Sequence, residues 1–302
     1  MKWRGRRQSS NVQDRRGAGG GSLGRRGGLG GLGGIRLPTG GGRGGGLGLL
    51  GVVVVLGIIW FATGQNPLDT MLGGSTTPST TQGTSFGPGS NAEDDELRDF
   101  VSVVLADTED FWNGVFTDSG RSYQEPPLVV FSGQTESGCG QADARSGPFY
   151  CPNDQRVYID LSFYRQLRDQ FGAAGDFAQA YVIAHEVGHH VQQLTGVLPE
   201  FNRLRASMSQ EEQNAYSVRV ELQADCYAGV WANYVERQNY LEDGDVQEAI
   251  NAANAIGDDT LTRGTTSPRN FTHGTSEQRM RWLRRGMESG DVGQCDTFQG
   301  AI

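Results

Sequence analysis

Three of the four histidines in this 302-residue chain lie in one short segment, AYVIAHEVGHHVQQL, residues 180–194. The spacing of its apolar residues is typical of a buried helix, and no proline interrupts it. His185 and His189 are four residues apart, so on a helix they share one face and can bind a single metal ion. Burying these polar side chains without partners would be costly, which favours a metal site over a plain apolar helix.

The pattern from His185 to His189, H-E-x-x-H, is typical of zinc hydrolases. Glu186 is then not a ligand but the general base, which takes a proton from water and passes it to the leaving amine. Zinc in such a site needs two neutral imidazoles, a third ligand and one open position. The alternative is a pair of hydrogen-bonded core histidines, which would not require the glutamate. His190 points about 100° away from His189 on a helix and is predicted to pack or lie at the surface.

A third ligand is predicted on a later helix. A metzincin site needs Gly and His at positions where this chain has Gln192 and Thr195, so that class is excluded. The segment VELQADCYAGVWA offers Glu221, 32 residues after His189, and Asp225 one helical turn later. Glu221 is predicted to bind the metal, and Asp225 to accept a hydrogen bond from the outer nitrogen of a ligand histidine. The alternative is two acids on a solvated helix face, against which the apolar neighbours argue.

His273 lies in NFTHGTSEQRMRWLRRG, in a loop before a helix predicted to begin at Ser276. By position alone two roles are open. The side chain is either an exposed loop histidine or a group that stabilises the oxyanion formed during hydrolysis.

The segments HEVGHH, ELQADC and THGTSEQRMRWL together resemble the bacterial neutral zinc metallopeptidase family, whose members are membrane-anchored and have a basic N-terminal tail. The resemblance covers most of the chain. It implies a zincin-like fold, bound Zn²⁺, peptide hydrolysis and an oxyanion or substrate contact for His273. The motifs also resemble those of membrane CAAX proteases and heat-shock proteases. That group, however, has several membrane spans, and a proline where this chain has Gly274.

The four cysteines fit an oxidising compartment. Cys139 and Cys151 bracket a short loop that a disulfide can close. Cys226 and Cys295 are a possible second pair, although four cysteines allow three pairings. A thiolate metal site is the alternative, but no two cysteines have CxxC spacing.

Charge is distributed unevenly along the chain. The Gly/Arg-rich residues 1–46 carry ten Lys or Arg and one acidic residue, a net +9, so with −9 overall the remainder carries −18. Such an acidic body is not typical of a nucleic-acid binder, and no nucleic-acid partner is expected. The composition predicts that residues 1–46 are a disordered basic tail and that the Gly/Ser/Thr/Pro-rich residues 64–91 are a linker.

Residues 47–63, LGLLGVVVVLGIIWFAT, carry no charge. As a helix they would be about 25 Å long, near the lower limit for a bilayer core of roughly 30 Å. We predict one transmembrane helix with Trp60 at an interface, the N-terminus in the cytoplasm and residues 92–302 outside. A buried core helix and a cleaved signal peptide are the alternatives. The run is apolar on every face, and the basic region before it is long for a signal peptide.

Residues 92–302 are predicted to form one α+β domain, mostly helical with a small early sheet. Helices are predicted over 92–116, 163–172, Asp176–Thr195, Glu211–Gln238 and Ser276–Met287, and strands over 126–131 and 156–161.

The sequence thus favours a single-pass membrane zinc endopeptidase with an extracytoplasmic catalytic domain. Its peptide or protein substrate is expected to add to an edge strand near RVYIDL, residues 156–161. The rival function is a non-catalytic cell-envelope binding protein stabilised by structural zinc. Structural sites have four protein ligands, so His273 or Cys226 as a fourth ligand would favour it.

Overall fold

The computed structural model describes residues 1–17 and 92–302. The described residues form six strands: β1 (Val12–Asp14), β2 (Leu128–Phe131), β3 (Gln134–Ser137), β4 (Gly140–Asp143), β5 (Phe149–Cys151) and β6 (Arg156–Asp160). Four of these strands make a mixed sheet in the order β1-β2-β6-β5, while β3 and β4 form a separate hairpin. Strands β1, β2 and β6 run parallel, and β5 is antiparallel to β6.

Eight α-helices accompany the strands in the described residues. They are α1 (Ala92–Asp118), α2 (Ser162–Asp169), α3 (Asp176–Thr195), α4 (Val197–Leu204), α5 (Gln210–Arg237), α6 (Asp245–Ala255), α7 (Asp258–Leu261) and α8 (Ser276–Ser289). The predicted mostly helical α+β architecture is therefore confirmed, and α3 has the bounds that its apolar spacing predicts. The sequence patterns gave no helix for α4, α6 or α7.

The order of the strands identifies the edge strand that lies near RVYIDL. The strand within RVYIDL is β6, which lies between β2 and β5 and has both of its edges paired. The outer strands of this sheet are β1 and β5, and the one next to β6 is β5, a three-residue strand that the sequence patterns did not reveal. Sheet order depends on contacts between distant segments, so an alternating run of residues does not identify which strand is outermost.

The helices that carry the candidate site approach each other closely because small residues stand where they cross. A Cβ atom on Gly188 of α3 would lie 3.2 Å from the Cα atom of Ala224 on α5, tighter than an ordinary packing contact. Helices α5 and α8 meet more closely still. A Cβ atom on Gly286 would come within 2.1 Å of the backbone oxygen of Cys226, and one on Gly229 within 2.2 Å of that of Leu283. These contacts bring α3, α5 and α8 around one buried point.

The N-terminal residues contradict the prediction of a disordered tail over residues 1–46. Residues 1–17 fold against the domain, where β1 is the outer strand of the sheet and Met1 is buried. The composition of the whole 1–46 region hides this, because its glycines concentrate after residue 16. The rest of the predicted tail, the predicted span 47–63 and the predicted linker 64–91 lie outside the described residues. Among the helices that are described, none has the length and apolar character needed to span a membrane.

Candidate metal centre

Two histidines and one glutamate converge between α3 and α5. Nε2 of His185 lies 3.1 Å from Oε2 of Glu221, and Nε2 of His189 lies 3.5 Å from Oε1 of the same carboxylate. One nitrogen or oxygen atom from each of the three residues lies within 4.8 Å of the other two. The structure thus brings together the three residues that the sequence predicts as metal ligands. Their four-residue spacing and the close crossing at Gly188 account for this placement.

The outer nitrogen of His185 is held by a buried polar cluster. Its Nδ1 lies 2.8 Å from Oδ1 of Asp225, which is fully buried and also accepts a 2.6 Å hydrogen bond from the hydroxyl of Tyr181. Arg279 on α8 completes the cluster, since Nε and Nη2 each donate to Asp225 at 2.9 Å. Asp225 therefore occupies the position next to a ligand histidine that its spacing from Glu221 predicts.

The outer nitrogen of His189 has a different partner. Its Nδ1 lies 2.8 Å from Oε1 of Gln192. The amide of Gln192 has only one possible orientation, because its Nε2 donates to the carbonyl oxygen of Val220 at 2.7 Å and to Oε1 of Gln223 at 3.0 Å. Since Gln192 and Asp225 present acceptors, His189 and His185 carry their proton on Nδ1 and direct Nε2 toward Glu221 when neutral.

The charged groups of the centre between α3 and α5 favour a positive charge there. Burial by itself lowers the pKa of His185, but Asp225 and Glu221 outweigh it and raise that pKa to about 10. Burial raises the pKa of Glu221, but the neighbouring His273 and His189 hold it well below its usual range. Burial likewise raises the pKa of Asp225, whereas Arg279 and His185 bring it down to about 2. Glu221 is thus kept ionised beside the two imidazole Nε2 atoms, and Asp225 beside Nδ1 of His185.

The spacing and the chemical types of the donor atoms fit a zinc ion. Ligand atoms at zinc distances of about 2.0–2.2 Å in a tetrahedron are about 3.3–3.6 Å apart, close to the separations found here. The set holds two imidazole nitrogens and one carboxylate, and each imidazole is oriented by an acceptor on its far side. Three protein ligands leave one tetrahedral position open, as in catalytic rather than structural zinc sites.

Glu186 lies beside the candidate ligands. Burial raises the pKa of its carboxyl group, although His189 and His185 act against this. The backbone N–H of Tyr150 on the edge strand β5 lies close enough to this carboxylate to act in the opposite direction to burial and lower its pKa. Glu186 is itself buried, as are His185, His189 and Glu221.

His273 lies in the loop before α8, as predicted, and is partly exposed. Its backbone N–H donates to Oδ2 of Asp258 at 2.7 Å, and its Nδ1 lies 3.4 Å from Oδ1 of the same residue. Burial lowers the pKa of His273, but Glu221 and Asp258 raise it overall. Asp258 thus fixes the orientation of the His273 ring. His273 is not part of the three-residue ligand group.

The remaining predicted residues are placed as follows. His190 is buried away from the ligands, with Nδ1 3.0 Å from the hydroxyl of Tyr150 and Nε2 2.5 Å from the carbonyl oxygen of Gln124. Disulfides join Cys139 to Cys151 and Cys226 to Cys295. Because Cys226 is bridged, it does not serve as the fourth ligand that a structural zinc site would need.

Sequence reasoning missed four contributors to the site: Tyr181, Gln192, Asp258 and Arg279. Arg279 had a readable signal. It lies on the same helical stripe as Trp282, Leu283 and Gly286, so an arginine stands on a face that is otherwise buried. Gln192 is three residues from His189, which it contacts, and Tyr181 is four residues from His185 and donates to the same Asp225, so both positions are detectable from spacing. Asp258 gives no such signal, because only the tertiary fold brings it beside His273.

The chain is similar to a known protein family and to several bacterial proteins. The model of the family described as "Putative neutral zinc metallopeptidase" matches residues 1–298. The "Uncharacterized protein YpfJ" of Escherichia coli (strain K12) is 48% identical over 311 residues, covering 100% of both chains. The "Uncharacterized protein Rv2575" of Mycobacterium tuberculosis (strain H37Rv) is 44% identical over 216 residues, covering 67% of this chain and 72% of that protein. No solved structure matches the chain.

Proposed function

Because this chain belongs to the neutral zinc metallopeptidase family, we propose that it is a zinc-dependent endopeptidase that hydrolyses peptide bonds. One observation carries the proposal. The Nε2 atoms of His185 and His189 converge on the Glu221 carboxylate, and the next residue along α3 from the first histidine is a buried glutamate. Three protein ligands with a neighbouring carboxylate suit a hydrolytic zinc centre, not a closed structural one.

In this proposal His185, His189 and Glu221 hold the metal. Bound Zn²⁺ would act as a Lewis acid on the peptide carbonyl and on water. Asp225 and Gln192 keep the Nδ1 protons in place, so that both imidazoles offer Nε2. A carboxylate holding an imidazole in this way also raises its basicity as a ligand.

Glu186 moves the proton. Its raised pKa suits a group that takes a proton from water and then gives it to the leaving amine, because a general base works best when its pKa is near the operating pH. The backbone N–H of Tyr150 lies near this carboxylate and favours its ionised form. Asp258 orients His273, leaving the imidazole Nε2 to donate to the oxyanion that develops from the carbonyl.

The substrate is proposed to be a peptide or protein segment in extended conformation that adds to β5. This strand pairs with β6 on one side, and within the described residues no strand pairs with its other side. The backbone contact of Tyr150 with Glu186 ties β5 to the general base, so a peptide along this edge would pass the metal centre. Membrane attachment through residues 47–63 stays a prediction.

The proposal is tested with the purified full chain in detergent, comparing wild type with Glu186→Gln. Zinc content is measured by elemental analysis and hydrolysis with casein. We expect the variant to keep its zinc and to lose activity by about 100-fold or more, because it lacks the base but no ligand. Glu236→Gln, on the exposed end of α5, is the matched control and should retain activity. Undiminished hydrolysis by zinc-loaded Glu186→Gln would contradict the mechanism, and zinc without any hydrolysis in wild type would favour the binding-protein alternative.

A further inference from the structure

The N-terminal segment, residues 1–17, is joined to the domain by backbone pairing. In β1, Val12, Gln13 and Asp14 pair in parallel with residues 128–130 of β2. Hydrogen bonds extend the pairing at both ends, from Leu128 N to Asn11 O at 3.0 Å and from Arg15 N to Val130 O at 2.7 Å. This pairing makes the segment a strand of the domain's sheet. Without it, β2 would present unpaired backbone groups at the edge of the sheet.

Buried acidic groups on α1 take their partners from the same segment. Glu109 is 2% exposed, and its carboxylate accepts hydrogen bonds from Ser9 Oγ at 2.5 Å, Asn11 Nδ2 at 2.8 Å and Arg7 Nη1 at 3.1 Å. Arg6 makes a further ion pair with Asp107, two residues earlier on α1. Without the N-terminal segment both carboxylates would lose these partners, so docking of the segment satisfies acidic groups that α1 alone leaves unpaired.

Aromatic contacts complete the interface. The ring of Trp3 packs edge-to-face on Phe100 of α1, with centroids 5.6 Å apart. The guanidinium group of Arg6 lies over the ring of Tyr240, 3.3 Å from its centroid. The segment therefore contacts the sheet, α1 and the loop after α5, which are widely separated in sequence. Its ordering reflects several independent interactions and not a single contact.

We infer that residues 1–17 are an integral part of the metal-binding domain and lie in the same compartment as residues 92–302. A single membrane crossing between residues 17 and 92 would put them on opposite sides of the bilayer and break every one of these contacts. Exchange of residues 1–17 between two copies would not restore the contacts. Both copies would have the same orientation in the membrane, so each segment would still lie on the side opposite to both domains. The predicted topology, with a cytoplasmic N-terminus and an extracytoplasmic domain, is therefore incompatible with the fold. Any membrane insertion between residues 18 and 91 must begin and end on one side.

The inference is independent of whether the centre hydrolyses peptides, and labelling of the full chain in cells tests it. Gln8→Cys and Ala206→Cys each introduce a free thiol at an exposed position, one in the segment and one in the domain. The unmodified chain, whose four cysteines are bridged, is the background control. Cells are treated with a membrane-impermeant maleimide, intact or permeabilised. We expect the two positions to behave alike, both labelled in intact cells or both labelled only after permeabilisation. Labelling of one position but not the other in intact cells would overturn the inference.

A second measurement tests the docking itself. Ser9→Ala removes a hydrogen bond to Glu109, and Ser10→Ala, at the exposed neighbouring position, is the matched control. If the segment is part of the domain, Ser9→Ala should lower the thermal midpoint of the domain by about 2–4 °C, while Ser10→Ala should not. An unchanged midpoint in Ser9→Ala would show that the segment does not dock in solution.

Discussion

Arg279 donates a hydrogen bond to each carboxylate oxygen of Asp225, both at 2.9 Å. Both side chains are buried, so this ion pair links α8 to the helix that supplies Glu221. Breaking a buried pair by removing one partner leaves an uncompensated charge, which costs more than the intact pair contributes.

We therefore expect Asp225→Ala to lower the free energy of unfolding of the metal-free protein by about 3–5 kcal/mol. Adding Arg279→Met should recover much of that loss, because the unpaired charge is then gone. Urea unfolding in the presence of chelator measures both variants. Arg284→Met, at an exposed position on the same helix, should change little. A loss of equal size in the single and double variants would show that the ion pair is not the cause.

Glu221 and Asp225 should differ in their effect on metal binding. Glu221→Gln replaces a ligand carboxylate and is expected to strip zinc at ordinary concentrations. Asp225→Asn keeps the shape of the side chain beside His185 Nδ1 but weakens the acceptor, so zinc affinity should fall by about 10–100-fold. Competition with a chelator gives both dissociation constants. Retention of zinc by Glu221→Gln together with its loss from Asp225→Asn would mean that the two roles are exchanged.

Gln192 should contribute to zinc affinity although it is not a ligand. Gln192→Leu removes the acceptor for the Nδ1 proton of His189 and is expected to weaken zinc binding by about 10-fold or more. Gln193→Leu makes the same chemical change one residue later, away from His189, and is the control. Equal affinities of the two variants would show that the amide of Gln192 does not orient the histidine.

The grouping of His185, His189 and Glu221 could be predicted because much of the information for it is local. His185 and His189 are related by one helical turn, as are Glu221 and Asp225, and such spacings survive whatever the tertiary fold is. The edge strand and the role of Asp258 depend on which distant segments become neighbours, so no short pattern encodes them. Residues 1–17 were mispredicted for another reason. Their partners are buried polar groups on α1, and composition registers only the shortage of apolar side chains.

Asp107 should make stability depend on pH. Burial raises the pKa of this carboxyl group from 3.8 to about 7, although the Arg6 guanidinium acts against it. Its Oδ2 atom is buried without a hydrogen-bond partner among the described residues, which explains why burial outweighs the ion pair with Arg6 in setting this pKa. Since the folded state binds this proton more tightly than the unfolded state, the stabilising contribution is complete below about pH 4 and is lost as pH rises through about 7.

Asp107→Asn should remove that slope, which amounts to roughly 3–4 kcal/mol between pH 4 and pH 8. Urea unfolding of the metal-free protein across this range measures it, with Asp118→Asn at the exposed end of α1 as control. If wild type and Asp107→Asn have parallel profiles, the carboxyl group is ionised throughout and the Arg6 pair outweighs burial.

The two disulfides should differ in which property of the site they affect. The Cys226–Cys295 bridge closes a loop between residues 69 apart, while Cys139 and Cys151 are only 12 apart. Loop-closure entropy predicts that replacing both cysteines of a pair with serine costs about 4 kcal/mol for the longer loop and about 3 kcal/mol for the shorter one.

Cys226 follows Asp225 on α5, so loss of its bridge is expected to weaken zinc binding as well. Cys151 instead ends β5, so loss of the bridge that ties this strand to the β3–β4 hairpin should raise KM for peptide with zinc affinity retained. Urea unfolding, chelator competition and peptide kinetics on the two double variants separate these effects, and a common effect on zinc in both would contradict the assignment of β5 to substrate binding.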